Sequence, residues 1–295
     1  MQNATGSSGV VFLEFNLDKT RLVGAAFGNG TVDIWDVSAP DGTLALIKTI
    51  VSDDALGPNE NRQDRPHPHQ CLLDSSGRFF ACNDLGTDTI LLIDSQDDAF
   101  EITNRVRVDP PGCGPRHGAF FPVGATQATH YVLVCEILNL VTVFELTYTG
   151  DTIQFLQVQT ISSFGQDFPP VNLSTSTAGE LIISRDNKDV YVSNRNTGNE
   201  TDSIAHFAMN VDQESGSLTL GFSDSISSGG LVPRMFDLSD DNSVLFSTNQ
   251  DGQFGVLAFA RNPQTGRLEA PSATASQDIF GVSGFGPQFV TEISV

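Results

Sequence analysis

The sequence predicts an all-β fold, a β-propeller of four-stranded antiparallel blades. Three observations carry that expectation. Composition is the first: 27 Gly, 14 Pro and 21 Phe beside only three Lys in 295 residues favour strands and tight turns over helices. Recurrence is the second. One layout returns five times: an apolar strand, a tight polar turn, a second apolar strand ending in polar or small residues, then a third and a fourth strand. The period is the third. The second strands begin at Leu22, Phe79, Tyr131, Val190 and Leu245, in steps of 57, 52, 59 and 55 residues. Four short strands at that spacing match a propeller blade. Leucine-rich repeats need about 20–29 residues per unit and helical segments, and a two-sheet sandwich does not explain five copies of one layout.

Taken in order, the second and third strands read RLVGAAFGNGTVDIWDV, RFFACNDLGTDTILLID, HYVLVCEILNLVTVFEL, DVYVSNRNTGNETDSIAHFAM and VLFSTNQDGQFGVLAFAR. The turns and fourth strands read PDGTLALIKTI, DDAFEITNRVRV, GDTIQFLQVQT, ESGSLTLGFSDSI and TGRLEAPSATA. The remainder, FGPQFVTEISV, is expected to be a strand that closes the ring by pairing with N-terminal strands. The expected architecture is therefore about five blades plus a C-terminal closing strand.

Fifteen Lys+Arg against 36 Asp+Glu leave a net charge of −21. So acidic a chain lacks the basic stripe that nucleic acid requires and is repelled by anionic membrane surfaces. No run approaches 18 apolar residues, so no membrane-spanning segment is expected. Cys71, Cys82, Cys113 and Cys135 form no CxxC pair, which argues against a zinc site. Cys71, Cys82 and Cys135 lie in apolar strands and read as buried free thiols, and Cys113 in the loop PPGCGPRH as the one able to reach a partner. No basic-then-apolar leader opens the chain. Sequons at Asn3, Asn29, Asn172 and Asn199 lean weakly towards secretion and leave the compartment open.

The repeats also align their polar residues. Five positions before the turns DSSG, FPVG, SRDN and SDDN stand His69, Arg116, Gly179 and Arg234. Five positions into the second strands stand Phe27, Asp84, Glu136, Arg195 and Gln250. In an antiparallel pair the start of one strand lies beside the end of the other, so both sets are expected at one mouth of the central channel. Arginines gathered there in an acidic protein suit an anionic or oxyanion-bearing ligand. Each residue has a plainer alternative. Asp84 caps a turn, Glu136 makes a structural bridge, Arg195 and Arg234 tie blades together, and His69 is a core imidazole. His67 and His117 read as structural, while His130 and His206 lie away from the expected mouth. GxSxG, GxGxxG and GxxxxGK[ST] are absent, which leaves no nucleophile elbow or nucleotide loop to consider.

The motifs RQDRPHPHQ, DSSGRF, NDLGTD, GCGPRHGAFF, VLVCEI, GELIIS, VYVSNR, VPRMFDLS and STNQ, in this order, resemble the β-propeller lactonases of the 6-phosphogluconolactonase-like type. The fungal aldonolactonase-like and carboxy-cis,cis-muconate cyclase-like members are the nearest, and the resemblance runs from about Val10 to Val295. It implies a single propeller domain over 1–295 that lacks the equivalent of the first two of seven blades. It implies no metal and no cofactor, with a small-molecule lactone or anionic sugar acid as the partner. It also implies that His69, Glu136, Arg116 and Arg195 form the active site, with Arg234 nearby; Arg234 and, from the repeat alignment, Asp84 and Gln250 are expected to bind substrate. The expected chemistry is water attack on a lactone carbonyl with His69 or Glu136 as base, the arginines lowering the carboxylate's basicity and so favouring His69. A lactone-forming cycloisomerase and a non-catalytic propeller are the alternatives.

Overall fold

The computed structural model describes residues 4–281 and 284–293. Within them the chain forms twenty strands in five four-stranded antiparallel sheets, each in sequential order. The first sheet holds β1 (Val10–Phe15), β2 (Arg21–Ala26), β3 (Thr31–Asp36) and β4 (Ala45–Val51). The second holds β5 (Pro68–Leu73), β6 (Phe79–Asp84), β7 (Thr89–Asp94) and β8 (Ile102–Arg107). The third holds β9 (Pro115–Phe121), β10 (His130–Cys135), β11 (Leu140–Tyr148) and β12 (Ile153–Ser162). The fourth holds β13 (Thr177–Ile183), β14 (Asp189–Arg195), β15 (Ser203–Val211) and β16 (Leu218–Ser227). The fifth holds β17 (Leu231–Leu238), β18 (Val244–Asp251), β19 (Phe254–Arg261) and β20 (Leu268–Ser276). The second strands start within one residue of the positions the repeat predicts.

The chain divides into two compact units, residues 1–135 with 144–158 and residues 136–143 with 159–295. In the first unit a core of Val23, Ile34, Phe80, Leu91 and Ile93 runs between the first and second sheets. In the second, Tyr191, Ile204, Phe236, Leu257 and Phe259 do the same for the fourth and fifth. The second strands β6, β10 and β14 are buried along their whole length. Strands covered on both faces read as continuous apolar runs, and FFAC and HYVLVC do so.

Two expectations are corrected. The cysteines are not free thiols: Cys71 pairs with Cys82 and Cys113 with Cys135. Cys71 and Cys82 face each other in the β5–β6 register with Cα atoms 4.0 Å apart, and β10 ends on Cys135 opposite Pro115, two residues beyond Cys113. Antiparallel pairing thus supplies the juxtaposition that sequence spacing alone did not reveal, and such links contribute about 2–4 kcal/mol each. The segment 285–293 forms no strand, and positions 294 and 295 of the expected closing strand lie outside the described residues. Its polar groups are taken by the fifth sheet instead. Gly286 N–H donates to the Gln250 carbonyl at 3.0 Å, Glu292 N–H to Asp237 Oδ2 at 3.2 Å, and Asp240 N–H to Glu292 Oε2 at 2.6 Å.

Candidate functional site

Each of the last four sheets breaks the ladder between its first two strands at the same place. The register skips between Pro68 and Gln70, between Pro115 and Gly118, between Ala178 and Leu181, and between Pro233 and Phe236. The released residues are His69, then Arg116 and His117, then Gly179 and Glu180, then Arg234 and Met235. A β-bulge re-aims side chains that a regular strand would send alternately to either face. The polar positions found by aligning turns are thus bulge positions. The bulge also explains what the alignment missed, since it frees the next residue in the chain as well. His117 and Glu180 are those neighbours. For Glu180 the available signal was one acid inside the apolar strand TAGELII.

In the first unit His69 is buried on β5. Its Nδ1 lies 3.1 Å from Nε2 of His117 on β9, and the Phe27 ring meets it edge-on at 5.6 Å. A hydrogen bond between two imidazoles needs one donor and one acceptor, so at least one of the two rings is neutral. His67 is held structurally, stacked on Phe27 with ring nitrogens at 2.8 Å from the Phe27 carbonyl and 2.9 Å from Asp64. Arg116 is among the largest fully buried side chains. Asp84, at the end of β6, spends Oδ1 on the N–H groups of His67, Gly86 and Thr87 at 2.7, 2.9 and 3.3 Å. Its Oδ2 is buried without a hydrogen-bond partner. Burial pushes its carboxyl up to about 6 against these hydrogen bonds. These contacts describe the turn cap that the sequence offered as its plainer role.

In the second unit Glu136 Oε2 and Arg195 Nη2 form an ion pair at 2.9 Å, both residues buried. Arg195 Nη2 also donates to the Ala178 carbonyl at 2.7 Å. Gly179 makes room for it: a Cβ there would lie 3.0 Å from Arg195 Nε and would overlap Ser193 Oγ. Glu180 is buried beside it, its N–H donating to Ser193 Oγ at 2.7 Å and its Oε1 accepting from Leu181 N–H at 3.1 Å. Arg234, half-buried on β17, has no hydrogen-bond or ion-pair partner among the described residues. Burial and the charge of Arg195 hold its guanidinium below its ordinary range, and the opposing fields of Glu136 and Glu180 only partly offset them. Gln250 is half-buried on β18, and its carbonyl accepts from Gln277 Nε2 and Gly286 N–H, each at 3.0 Å. Among the described residues no three His, Cys, Asp or Glu are grouped to hold a metal ion.

Known proteins match this architecture. The family described as "Lactonase, 7-bladed beta-propeller" matches residues 1–278. A protein of Arthroderma benhamiae named "Probable 6-phosphogluconolactonase" is 30% identical over 283 residues, which is 95% of this chain and 68% of the relative. The 6-phosphogluconolactonase of Bacillus subtilis is 29% identical over 252 residues, 85% of this chain and 66% of the relative. Among solved structures, the periplasmic gluconolactonase of Pseudomonas aeruginosa aligns with a TM-score of 0.73 at 26% identity, covering 90% of this chain and 70% of that one. The chain therefore spans about two thirds of the length of these relatives.

Proposed function

Since the chain belongs to the lactonase family of seven-bladed β-propellers, we propose that it hydrolyses the ring ester of a sugar lactone. Water adds to the carbonyl carbon, the tetrahedral oxyanion collapses, and the bond to the ring oxygen breaks. The ring oxygen takes a proton, and the hydroxy acid formed ionises to a carboxylate. In this reading His69 removes the proton from water, a role worth about 10²–10⁴-fold. Arg116 and Arg195 stabilise the oxyanion. Glu136, paired to Arg195, holds that guanidinium and orients the water. Arg234 anchors the acid product, and Gln250 contributes to substrate binding. Asp84 acts through the turn it holds, since its Oδ1 grips the N–H of His67, two residues before His69.

One observation carries the reading. A bulge recurs in all five sheets, and in the last four it releases two imidazoles, two arginines and a glutamate from the regular alternation of their strands. Packing alone would favour apolar side chains at these buried positions, and the repeat sets ionisable ones there instead. The test is proton release from glucono-δ-lactone in weak buffer, with spontaneous opening subtracted, beside a muconate cyclisation assay. Hydrolysis is expected, falling about 10²–10⁴-fold in His69→Gln while the melting temperature holds. A His69→Gln variant as fast as the parent removes His69 as base. Cyclisation without lactone opening replaces the hydrolase with the cycloisomerase.

A further inference from the structure

The second unit allows a choice among lactones, and the choice rests on the lactonase reading above. Its polar cluster is close to electrically balanced. Glu136 neutralises Arg195 across 2.9 Å. Glu180 is buried nearby on β13, and its charge, with that of Glu136, acts on Arg234. Two guanidinium groups thus stand against two carboxylates. Arg195 keeps its Nε–H unspent but is held by its ion pair, and Arg234 alone of the two has no hydrogen-bond or ion-pair partner among the described residues. Cations are scarce everywhere: at least nine of the fifteen Lys and Arg are already in ion pairs with carboxylates. The net charge of −21 opposes the approach of any further anion.

A neutral lactone enters uncharged and leaves as a monoanion. One unspent guanidinium matches that product, a planar carboxylate taking two parallel N–H donors. A phosphorylated lactone enters with about two negative charges and leaves with one more. A phosphate also presents three acceptor oxygens and calls for several unspent donors, whereas this cluster offers one arginine flanked by two acids. We propose that the substrate is an aldonolactone without a phosphate group, and that Arg234 is the group that recognises the carboxylate formed when its ring opens.

The test compares kcat/KM for glucono-δ-lactone and 6-phosphoglucono-δ-lactone at equal ionic strength, on the protein as it stands. Calorimetric titration with gluconate and 6-phosphogluconate runs beside it. The expected result is at least a tenfold preference for the unphosphorylated lactone. Gluconate is expected to bind more tightly than 6-phosphogluconate, to weaken about tenfold in Arg234→Gln and to recover in part in Arg234→Lys. Hydrolysis of both lactones with equal or reversed preference overturns the choice of substrate and leaves the lactonase reading standing. Turnover of neither lactone removes that reading and this inference with it. Unaltered gluconate affinity in a folded Arg234→Gln removes Arg234 as the anchor.

Discussion

The second unit contains two clusters of buried charge, and they are built in opposite ways. Around His206 every group is answered. Its ring nitrogens lie 2.7 Å from Asp224 and 2.7 Å from Asp189, and Tyr191 stacks on the ring. Arg261 reaches Asp186 at 3.0 Å, contacts Asp189, and donates from Nε to the Tyr191 hydroxyl at 2.8 Å. Around Glu136 and Arg195 one ion pair closes and Arg234 remains open. A network whose members satisfy one another ties strands together, while a half-buried cation with no hydrogen-bond partner of its own is what the proposed anchor for the product requires. Residue type alone does not separate them, since Arg195, Arg234 and Arg261 each stand in an apolar strand; only the repeat alignment sets Arg195 and Arg234 apart from Arg261.

The largest expected effect tests the closed cluster. Arg261→Met leaves the buried Asp189 and the partly buried Asp186 without their cation, and breaking such a pair costs about 3–5 kcal/mol. Urea unfolding of parent and variant measures it. A cost below about 1 kcal/mol would mean that the network adds no more than surface pairs do, and the contrast with Arg234 would collapse.

Next comes pH, where two buried aspartates behave in opposite senses. Burial alone would raise Asp189, but His206 and Arg261 outweigh it and hold the carboxyl below its usual range. Its folded-state value is depressed, so it contributes stability above the unfolded value and loses it as pH falls through the folded one. Asp84 is raised to about 6. In its case the folded state holds the proton more firmly, so that contribution is complete below the unfolded value near 3.8 and is lost as pH rises through about 6. A shift of that size corresponds to about 3 kcal/mol. Asp84→Asn keeps an oxygen for the three backbone N–H groups and removes the charge. It is expected to gain on the parent as pH rises from 4 to 8, by up to about 3 kcal/mol, in denaturant titrations at each pH. A difference that does not change with pH would show that Asp84 does not titrate across that window.

Surface pairs mark the lower end of the scale. Arg185 and Asp240 lie 3.2 Å apart with side chains 48% and 66% exposed. Arg185→Ala is expected to shift unfolding by about 0.2–1 kcal/mol, fading in high salt.

How much of this was legible in the sequence depends on which physical signal carried it. Strand period and turn chemistry are local, so the second strands from Leu22 to Leu245 were found within a residue. The repeat alignment reached His69, Arg116 and Arg234 because the bulges recur at one distance from the turn. It returned Gly179 where Glu180 is the charged member, because a bulge that frees two residues does not say which of them bears the charge. Disulfides depend on cross-strand register, and Cys71 and Cys82 become partners only once β5 and β6 are paired. The C-terminal segment has the β-forming residues of a strand in FVTEI, yet among the described residues it forms no ladder with β17, and the acids Asp237 and Glu292 bind backbone N–H groups there instead.

The smallest expected change in stability is the one that most sharpens the contrast. Arg234→Gln removes a cation that spends no hydrogen bond on the protein and that burial and Arg195 both disfavour. What it loses is the attraction of Glu136 and Glu180, and what it gains is relief from desolvation and from the like charge. These opposing contributions leave a net change expected within about 0.5 kcal/mol, read from the same urea titrations as Arg261→Met. The two substitutions take the same side-chain type from the same unit, so a difference of several kcal/mol between them isolates partnership as the cause. An Arg234→Gln cost that matches Arg261→Met would mean that Arg234 is part of the framework, and the anchor for the opened lactone would have to be sought elsewhere.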